Sequence, residues 1–167
     1  MKNPKMAETL RKIALQGDSY LYGGELGKHI VETVNSRIGD QHEKLSLEDF
    51  KNYRVKQRDI IESDYRGNKI VSFGYPASGG VMVAQSLELL ESYDIAQMEE
   101  TDVDPWRLMT EAMRIAKADR IAYAGDPDYV ETPINGLLSK AYIDGRRLLI
   151  PDHCLRENNP TQGGENP

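Results

Sequence analysis

The stretch KADRIAYAGDPDYVETPINGLLSKAYIDGRRLLI, from Lys117 to Ile150, decides how the fold is interpreted. It places charged side chains around a Gly-Asp-Pro turn that separates two segments of helical pattern. A calcium loop of the EF-hand type needs oxygen ligands at alternate positions, a central glycine and a terminal glutamate, and this order is absent. An Asp-Pro pair initiates turns, and Asp119 or Arg120 on the preceding helix could form a buried ion pair that fixes the loop. The stretch therefore predicts a structural motif rather than a metal site, made of Asp119, Arg120, Gly125, Asp126, Pro127 and Asp128.

Capping signals predict the helices of the N-terminal third of the chain. Asn3-Pro4 is typical of an N-cap followed by the first helical residue, and Gly17 is typical of a helix end. A second helix is expected from about residue 25 to residue 37, with Gly39 as its terminator. Ser46, followed by an acid three residues later, predicts a capping box that opens a short helix.

The longest predicted helix begins with a second Asp-Pro pair, Asp104-Pro105, and runs to about Ala124. Trp106 is interpreted as a core anchor. The last helix is expected to start after Ser139 as its cap and to continue through Arg147. The residues of the long helix expected to face the core are Met109, Ala112, Met113, Ala116 and Ile121.

The strand signals are few. Tyr53, Val55 and Gln57 alternate with basic residues, which predicts one strand, and Ile70-Val71 begins another after a turn at Gly67-Asn68. The fold class is therefore α/β (α+β), mostly helical with two or three strands. Since two or three strands rarely form a self-sufficient sheet, we expect the sheet to be completed by strands from outside this chain.

A junction of the sequence ASGG follows the second predicted strand and precedes a helix. Ser78, Gly79 and Gly80 could present backbone N–H groups to an anion at a helix N-terminus. The favoured interpretation is structural: Ser78 caps the helix and the glycines permit a tight turn. The spacing matches neither a phosphate-binding P-loop nor a nucleophile elbow.

Composition limits the classes of function. The chain has 167 residues, 39% of them hydrophobic and 29% charged, which is typical of one globular domain. A net charge of −6 without a basic stripe argues against a nucleic-acid partner. No apolar run is long enough to cross a membrane. The histidines and the one cysteine lack metal-ligand spacing, and a Cys–His active site at His153-Cys154 is disfavoured.

Taken in order, these landmarks resemble the γ-glutamyltransferase family of N-terminal-nucleophile hydrolases. The resemblance opens with NPKMAETLRKIALQGDSYLYGGELGKHIVE, continues through LSLEDFKNYRV and YRGNKIVSFGYPASGG, and is most specific over EAMRIAKADRIAYAGDPDYVETPINGLLSKAYIDGRRLLI. It covers about residues 3–150. It implies that residues 1–150 form part of an αββα sandwich, in the C-terminal part of a large subunit. Residues 151–167 would then be a flexible tail that leads to an autoprocessing site.

The resemblance also implies an activity that this chain cannot perform alone. The nucleophile would be a threonine that becomes an N-terminus after processing, expected beyond Pro167; Thr161 lacks the family context. It would attack the γ-glutamyl amide of glutathione or a related compound, and water or an amino acid would accept the glutamyl group. The partners would be the rest of the large subunit and the small subunit, with no cofactor, no metal, no nucleic acid and no membrane contact from this chain. Many members of the family are exported to the periplasm or outside the cell, although a cytoplasmic location is compatible.

Alternatives remain open at this point. Tyr75 and Ala77 replace residues of the usual proline and serine run, and Trp106 stands near a common histidine, so the subfamily is not fixed. One alternative is an acylase of the same fold or an enzyme that processes poly-γ-glutamate. Another is a non-catalytic interaction protein, a remnant of the fold.

Overall fold

The computed structural model describes residues 2–151 and divides the chain into two compact units, with the boundary between Lys56 and Gln57. The first unit contains three α-helices and a short 3₁₀ helix. The second contains the hairpin and four α-helices among its described residues. The helices of the first unit are α1 (Pro4–Gln16), α2 (Glu25–Asn35) and α3 (Leu47–Asn52), with the 3₁₀ helix at Gly17–Tyr20.

Local capping explains where the helices of the first unit begin. The Asn3 side chain accepts a hydrogen bond from the Met6 N–H at 3.1 Å, and Gly17 is the C-cap of α1. Ser46 and Asp49 form the predicted capping box of α3, since the Ser46 hydroxyl accepts from the Asp49 N–H and the Asp49 carboxylate accepts from the Ser46 N–H. The predictions from these residues are confirmed.

Two predictions for the first half of the chain are wrong. Helix α2 ends at Asn35 with Ser36 as its C-cap, before the expected end near Arg37, so Gly39 is not its terminator. The predicted strand around Tyr53 to Gln57 does not form. No strand pairs with this segment among the described residues, and Val55 is 86% exposed. All five residues of this segment are exposed, so its alternation does not correspond to a half-buried strand.

The sheet is a two-stranded antiparallel hairpin, β1 (Ile60–Tyr65) and β2 (Asn68–Phe73). Arg66 and Gly67 form its two-residue loop, with φ values of 51° and 77°. Positive φ at both loop residues is the type I′ geometry, whose twist matches that of the strands. The predicted second strand is confirmed, and its turn lies one residue earlier than expected.

Each face of the hairpin has a different environment. Ile61 is 8% exposed and lies on the face that packs against α4. The opposite face carries Ile60, Val71 and Phe73, which are 57%, 54% and 73% exposed. One face of the sheet is therefore covered within the unit, and the other presents apolar side chains at the surface.

Helix α4 (Gly79–Leu90) is the centre of the second unit, since it packs against both strands, against α5 (Val103–Tyr123) and against α7 (Lys140–Arg147). The short α6 (Ile134–Leu137) precedes α7. Gly80 lies at the start of α4, and a Cβ there would come within 2.2 Å of the Phe73 carbonyl oxygen. The contact between α4 and the end of β2 therefore requires glycine.

The core of this unit consists of two hydrophobic clusters that share α4. One joins the C-terminal half of α4 to α5 and α7, and the other joins its N-terminal half to β1 and α6. The members of the first are Leu89, Leu90, Leu108, Ala112, Ile115, Ile143 and Ile150, and those of the second are Ile61, Tyr75, Val81, Ala84 and Leu137.

The long helix α5 exists as predicted, but its orientation differs. It begins at Val103 with Asp102 as N-cap, so Asp104-Pro105 does not provide the cap. Met113 and Ile121 are 54% and 67% exposed, and Trp106 is 60% exposed, so these three do not face the core. The buried residues of α5 are Pro105, Leu108, Ala112, Ile115, Ala116, Ala118 and Asp119. The helix carries apolar residues on two faces. Sequence periodicity assigned Met113 and Ile121 to the buried face, whereas both lie on the exposed one.

Candidate functional site

The acidic turn after α5, which contains Asp126 and Asp128, is bonded to the side chain of Arg58. Arg58, in the segment before β1, donates from Nη1 to Asp128 Oδ1 at 2.8 Å and from Nη2 to Asp128 Oδ2 at 2.6 Å. Its Nη2 also donates to Asp126 Oδ1 at 3.2 Å. The hydrogen bond to Asp128 is the main reason why the pKa of Arg58 is raised. We call these three residues the surface bridge. Both carboxylates accept hydrogen bonds from the guanidinium group of Arg58.

The backbone of this turn is closed by its own hydrogen bonds. The Asp126 carbonyl accepts from the N–H groups of Tyr129 and Val130, and its carboxylate accepts from the Asp128 N–H at 3.0 Å. A Cβ at Gly125 would come within 2.2 Å of Val130 Cγ2. Pro127 lies between the two aspartates, where its fixed φ suits a turn.

A second acidic group, seven residues upstream at Asp119, is fully buried where α4, α5 and α7 meet. Arg146 of α7 approaches it with Nη2 at 2.9 Å from Oδ1 and donates from Nε to Oδ2 at 3.1 Å. Gln85 of α4 donates from Nε2 to Oδ2 at 2.6 Å. We call these three residues the buried cluster. A buried ion pair was expected at Asp119 or Arg120, and the partner is Arg146.

Tyr142 of α7 lies beside the buried cluster. Burial, followed by the negative charge of Asp119, raises the pKa of its hydroxyl. A tyrosinate next to an ionised carboxylate in a water-poor site would be costly, so the neutral phenol is the stable form.

Ser78 occupies the N-cap position of α4, but its side chain makes no capping hydrogen bond. Its hydroxyl instead accepts from Arg120 Nε at 2.7 Å. Gly79 is the first residue of α4 and Gly80 the second. The ASGG junction thus ties α4 to α5 through a side-chain hydrogen bond, and the capping role that the sequence predicts for Ser78 is not observed.

A cleft of about 630 Å³ lies next to the acidic turn. Its walls are the segment that leads into β1, the Gly74-Tyr75 turn and the segment between Pro127 and Gly136. Arg58 lies in one wall, already bonded to the two aspartates. Its described walls include the carboxylates of Asp59 and Glu131 and the amides of Gln57 and Asn135.

Metal binding finds no support in the described part of the chain. Between residues 2 and 151, no three His, Cys, Asp or Glu side chains are grouped so that they could hold an ion. His29 and His42 lie in the first unit. The disfavoured pair His153 and Cys154, together with Thr161, falls outside the described residues. Over the same described range, no helix has both the length and the apolar character to span a bilayer.

Sequence reasoning missed the partners of the acidic residues. Arg58 is 68 residues from Asp126, and Arg146 is 27 residues from Asp119, so no local pattern links them. One signal was present for Arg146, because it follows the apolar Ile143 at helical spacing and shares its buried face.

Helices cover one face of a hairpin and are joined through a buried Asp–Arg pair, so the described residues form an α+β segment. Comparison with known proteins identifies the family. The sequence profile of the protein family described as Gamma-glutamyltranspeptidase matches residues 1–166. The Acylase ACY 1 proenzyme of Pseudomonas sp. (strain V22) is 40% identical over 144 residues, covering 86% of this chain and 25% of that proenzyme. The Glutathione hydrolase proenzyme of Bacillus subtilis subsp. natto is 34% identical over 145 residues, covering 87% of this chain and 24% of its own length.

A solved structure agrees. The γ-glutamyltranspeptidase of Helicobacter pylori superposes with a TM-score of 0.79 and 30% identity, covering 97% of this chain and 45% of that one. The chain belongs to the γ-glutamyltranspeptidase family, and the predicted fold class is confirmed. It spans about a quarter of the length of these curated relatives.

Proposed function

We propose that this chain is a segment of an autoprocessing enzyme that cleaves the γ-glutamyl amide of glutathione and related compounds. The observation that carries the proposal is the family match over residues 1–166, with the sequence landmarks in family order. The names of the relatives, which are proenzymes, support processing of a precursor. The complete protein would transfer the glutamyl group to water or to an amino acid.

The role of this chain in that enzyme would be structural. The buried cluster fixes α4, α5 and α7 relative to one another, and the surface bridge fixes the acidic turn to the segment before β1. No catalytic residue is assigned to the described range. Residues 1–150 would form the scaffold, and residues 151–167 would lead to the processing site.

The chemistry would be supplied by the remaining large-subunit segment and the small subunit. The hydroxyl of the new N-terminal threonine would attack the γ-glutamyl carbonyl carbon while its own α-amino group accepts the proton. The C–N bond would break with protonation of the leaving amine, giving a γ-glutamyl ester. Backbone or side-chain donors would stabilise the tetrahedral oxyanion. Water or an amino acid would then take the acyl group and regenerate the threonine.

The first test is to sequence the coding DNA on both sides of this reading frame. A frame that continues into a Thr-Thr-His or similar start would support the proposal. A start at Met1 and a stop after Pro167 would overturn it in favour of a non-catalytic protein. With the complete frame in hand, the processed protein should release the amine from a γ-glutamyl anilide, and residues 1–167 alone should not.

A second function is favoured by the 40% identity to an acylase proenzyme, against 34% for the glutathione hydrolase. In this alternative the complete protein would cleave another amide, such as an acyl side chain of a β-lactam. The two are separated by presenting the processed protein with both a γ-glutamyl anilide and a side-chain amide. A ratio of kcat/KM above about tenfold in either direction, equivalent to about 1.4 kcal/mol, would assign the substrate class.

A further inference from the structure

The outer face of α5 carries a row of residues that contribute nothing to the core of the second unit. We call it the outer stripe; its members are Val103, Trp106, Thr110, Met113, Lys117 and Ile121. Val103, Trp106, Met113 and Ile121 are 72%, 60%, 54% and 67% exposed. The stripe lies on the side of the helix opposite to the buried residues Leu108, Ala112 and Ile115.

The spacing along the outer stripe is that of a helix-pairing seam. From Val103 to Lys117, successive members are three, four, three and four residues apart. This 3-4 alternation keeps a row of side chains facing a second helix. A helix that is apolar on two faces has more apolar surface than one core requires. The row extends about 27 Å, at about 1.5 Å per residue.

Trp106 is held in place on the surface of the helix. Its Nε1 donates to the Glu100 carbonyl at 3.1 Å. An indole that is anchored through its N–H and is still 60% exposed has little rotamer freedom left to lose on binding. Aromatic residues of this kind are typical anchors of protein interfaces.

The charges next to the stripe fit a second copy of the same helix in antiparallel orientation. If the two-fold axis passes between Thr110 and Met113, Trp106 of each copy faces Lys117 of the other, so two cation–π pairs form. A parallel pair would instead bring Lys117 against Lys117. The antiparallel arrangement also brings Asp102 of one copy toward Arg120 of the other, on the same flank of the stripe. Arg120 donates from Nε to the uncharged Ser78 hydroxyl, so its positive charge is not cancelled by that contact.

The arginines on the other flank do not oppose this arrangement. Arg107 is paired with Asp104 at 3.0 Å and Arg114 with Glu111 at 3.5 Å, both within the same helix. Their positive charges are therefore compensated before a second helix approaches. The electrostatic preference for the antiparallel pair rests on Trp106, Lys117, Asp102 and Arg120.

From this geometry we propose that the outer stripe of α5 is a homotypic interface, through which two copies of the complete protein associate by antiparallel pairing of α5. This inference is independent of the substrate of the enzyme. It assigns exposed Trp106 and Met113 to an interaction surface.

The test is the mass of the complete, processed protein in solution across a concentration series. We expect a dimer whose dissociation constant rises at least tenfold in Met113→Glu, because two carboxylates then lie next to the axis. Leu148→Glu is the matched control, since Leu148 is 86% exposed and off the stripe, and its dimer should be unchanged. A wild-type monomer at about 0.1 mM, a concentration at which interfaces of ordinary affinity are occupied, would overturn the proposal.

A further outcome would also overturn it. If Met113→Glu lowers the thermal unfolding midpoint of a monomer while Leu148→Glu does not, the stripe is covered by another part of the same polypeptide. The orientation is tested by cross-linking in a background without other cysteines. A mixture of Trp106→Cys and Lys117→Cys chains should form mixed disulfide dimers, and cross-links of each variant only to itself would refute the antiparallel pairing.

Discussion

The buried cluster and the surface bridge use the same chemistry in different surroundings. Asp119 and Arg146 pair where three helices meet, with side chains that are 0% and 9% exposed. Arg58 pairs with Asp126 and Asp128 at the edge of the unit, with side chains that are 28%, 38% and 30% exposed. In the buried pair, loss of one partner leaves the other charge without water or a counter-ion, which strongly lowers the free energy of unfolding. In the exposed pair, water and dissolved ions can solvate the remaining charge, so the loss of one partner costs little. Position therefore decides what each pair does for stability.

The largest expected effect is at the buried cluster. Asp119→Ala should lower the free energy of unfolding by about 3–5 kcal/mol, because it leaves the Arg146 charge buried without its carboxylate. Urea unfolding measures this loss. The double variant Asp119→Ala/Arg146→Met should recover part of the stability, since it also removes the uncompensated charge. A double variant less stable than the single one would show that the ion pair itself, rather than the isolated charge, dominates.

The next effect is steric and concerns the turn that carries the surface bridge. Gly125→Ala should cost about 1–3 kcal/mol, because the added Cβ would overlap Val130 Cγ2. Shortening the neighbouring side chain should relieve the overlap, so that Gly125→Ala/Val130→Ala is more stable than Gly125→Ala. Thermal unfolding of the two variants decides this. If the second substitution brings no recovery, backbone geometry rather than the Val130 contact makes glycine necessary.

The third prediction uses pH to separate the interior from the surface. The folded state raises the pKa of Tyr142, so its stabilising contribution is complete below the unfolded value near 10 and is lost as pH rises toward the folded value. The loss is at most about 1.4 kcal/mol per pH unit, and less where water reaches the ring. Tyr142→Phe should therefore lose less stability than the wild type between pH values of about 9 and 11, as measured by urea midpoints.

The control for this pH series is Tyr129→Phe, since Tyr129 is 86% exposed and lies in the acidic turn. Its pH profile should follow that of the wild type. Equal alkaline behaviour of Tyr142→Phe and the wild type would mean that Tyr142 does not resist ionisation in the folded protein.

The smallest effect is expected at the surface bridge. Arg58→Ala should destabilise the protein far less than Asp119→Ala, and the difference from wild type should shrink as NaCl rises from about 0.05 M to about 1 M. Thermal unfolding at the two salt concentrations checks this. A salt-independent loss as large as that of Asp119→Ala would remove the distinction between the two regions.

Local signals in the sequence predicted local structure well. Asn3, Ser46 and Ser139 are of the residue types that cap helices, and each precedes a helical pattern. In the structure each of these side chains accepts a hydrogen bond from the backbone N–H three residues ahead. The hairpin turn was placed within one residue. The helix and strand signals alone indicated a mixed chain of helices and few strands, and the family landmarks added the expectation of an αββα sandwich.

The failures come from choices that tertiary contacts decide. In α5, Met113 and Ile121 repeat at the same period as Leu108 and Ile115, and only the position of α4 determines which row is buried. Around Val55, polar and apolar residues alternate as they would in a strand, but no strand forms. In the observed strand β1, the adjacent apolar residues Ile60 and Ile61 depart from that alternation. For the candidate site, Asp119 was recognised but Arg146 was not, because residues 27 positions apart share no local pattern. The functional role of the motif residues stays a prediction.

The distance in sequence between Asp119 and Arg146 has a consequence during synthesis. The carboxylate leaves the ribosome 27 residues before the guanidinium that neutralises it. At about 5–20 residues per second, the two are separated by about 1–5 seconds. During that interval α4, which contributes Gln85, can approach α5, but the carboxylate between them still lacks its cation. Because burying an unpaired carboxylate is costly, we expect this part of the second unit to stay hydrated until α7 emerges. Docking of α7 then supplies Arg146 and completes the interior.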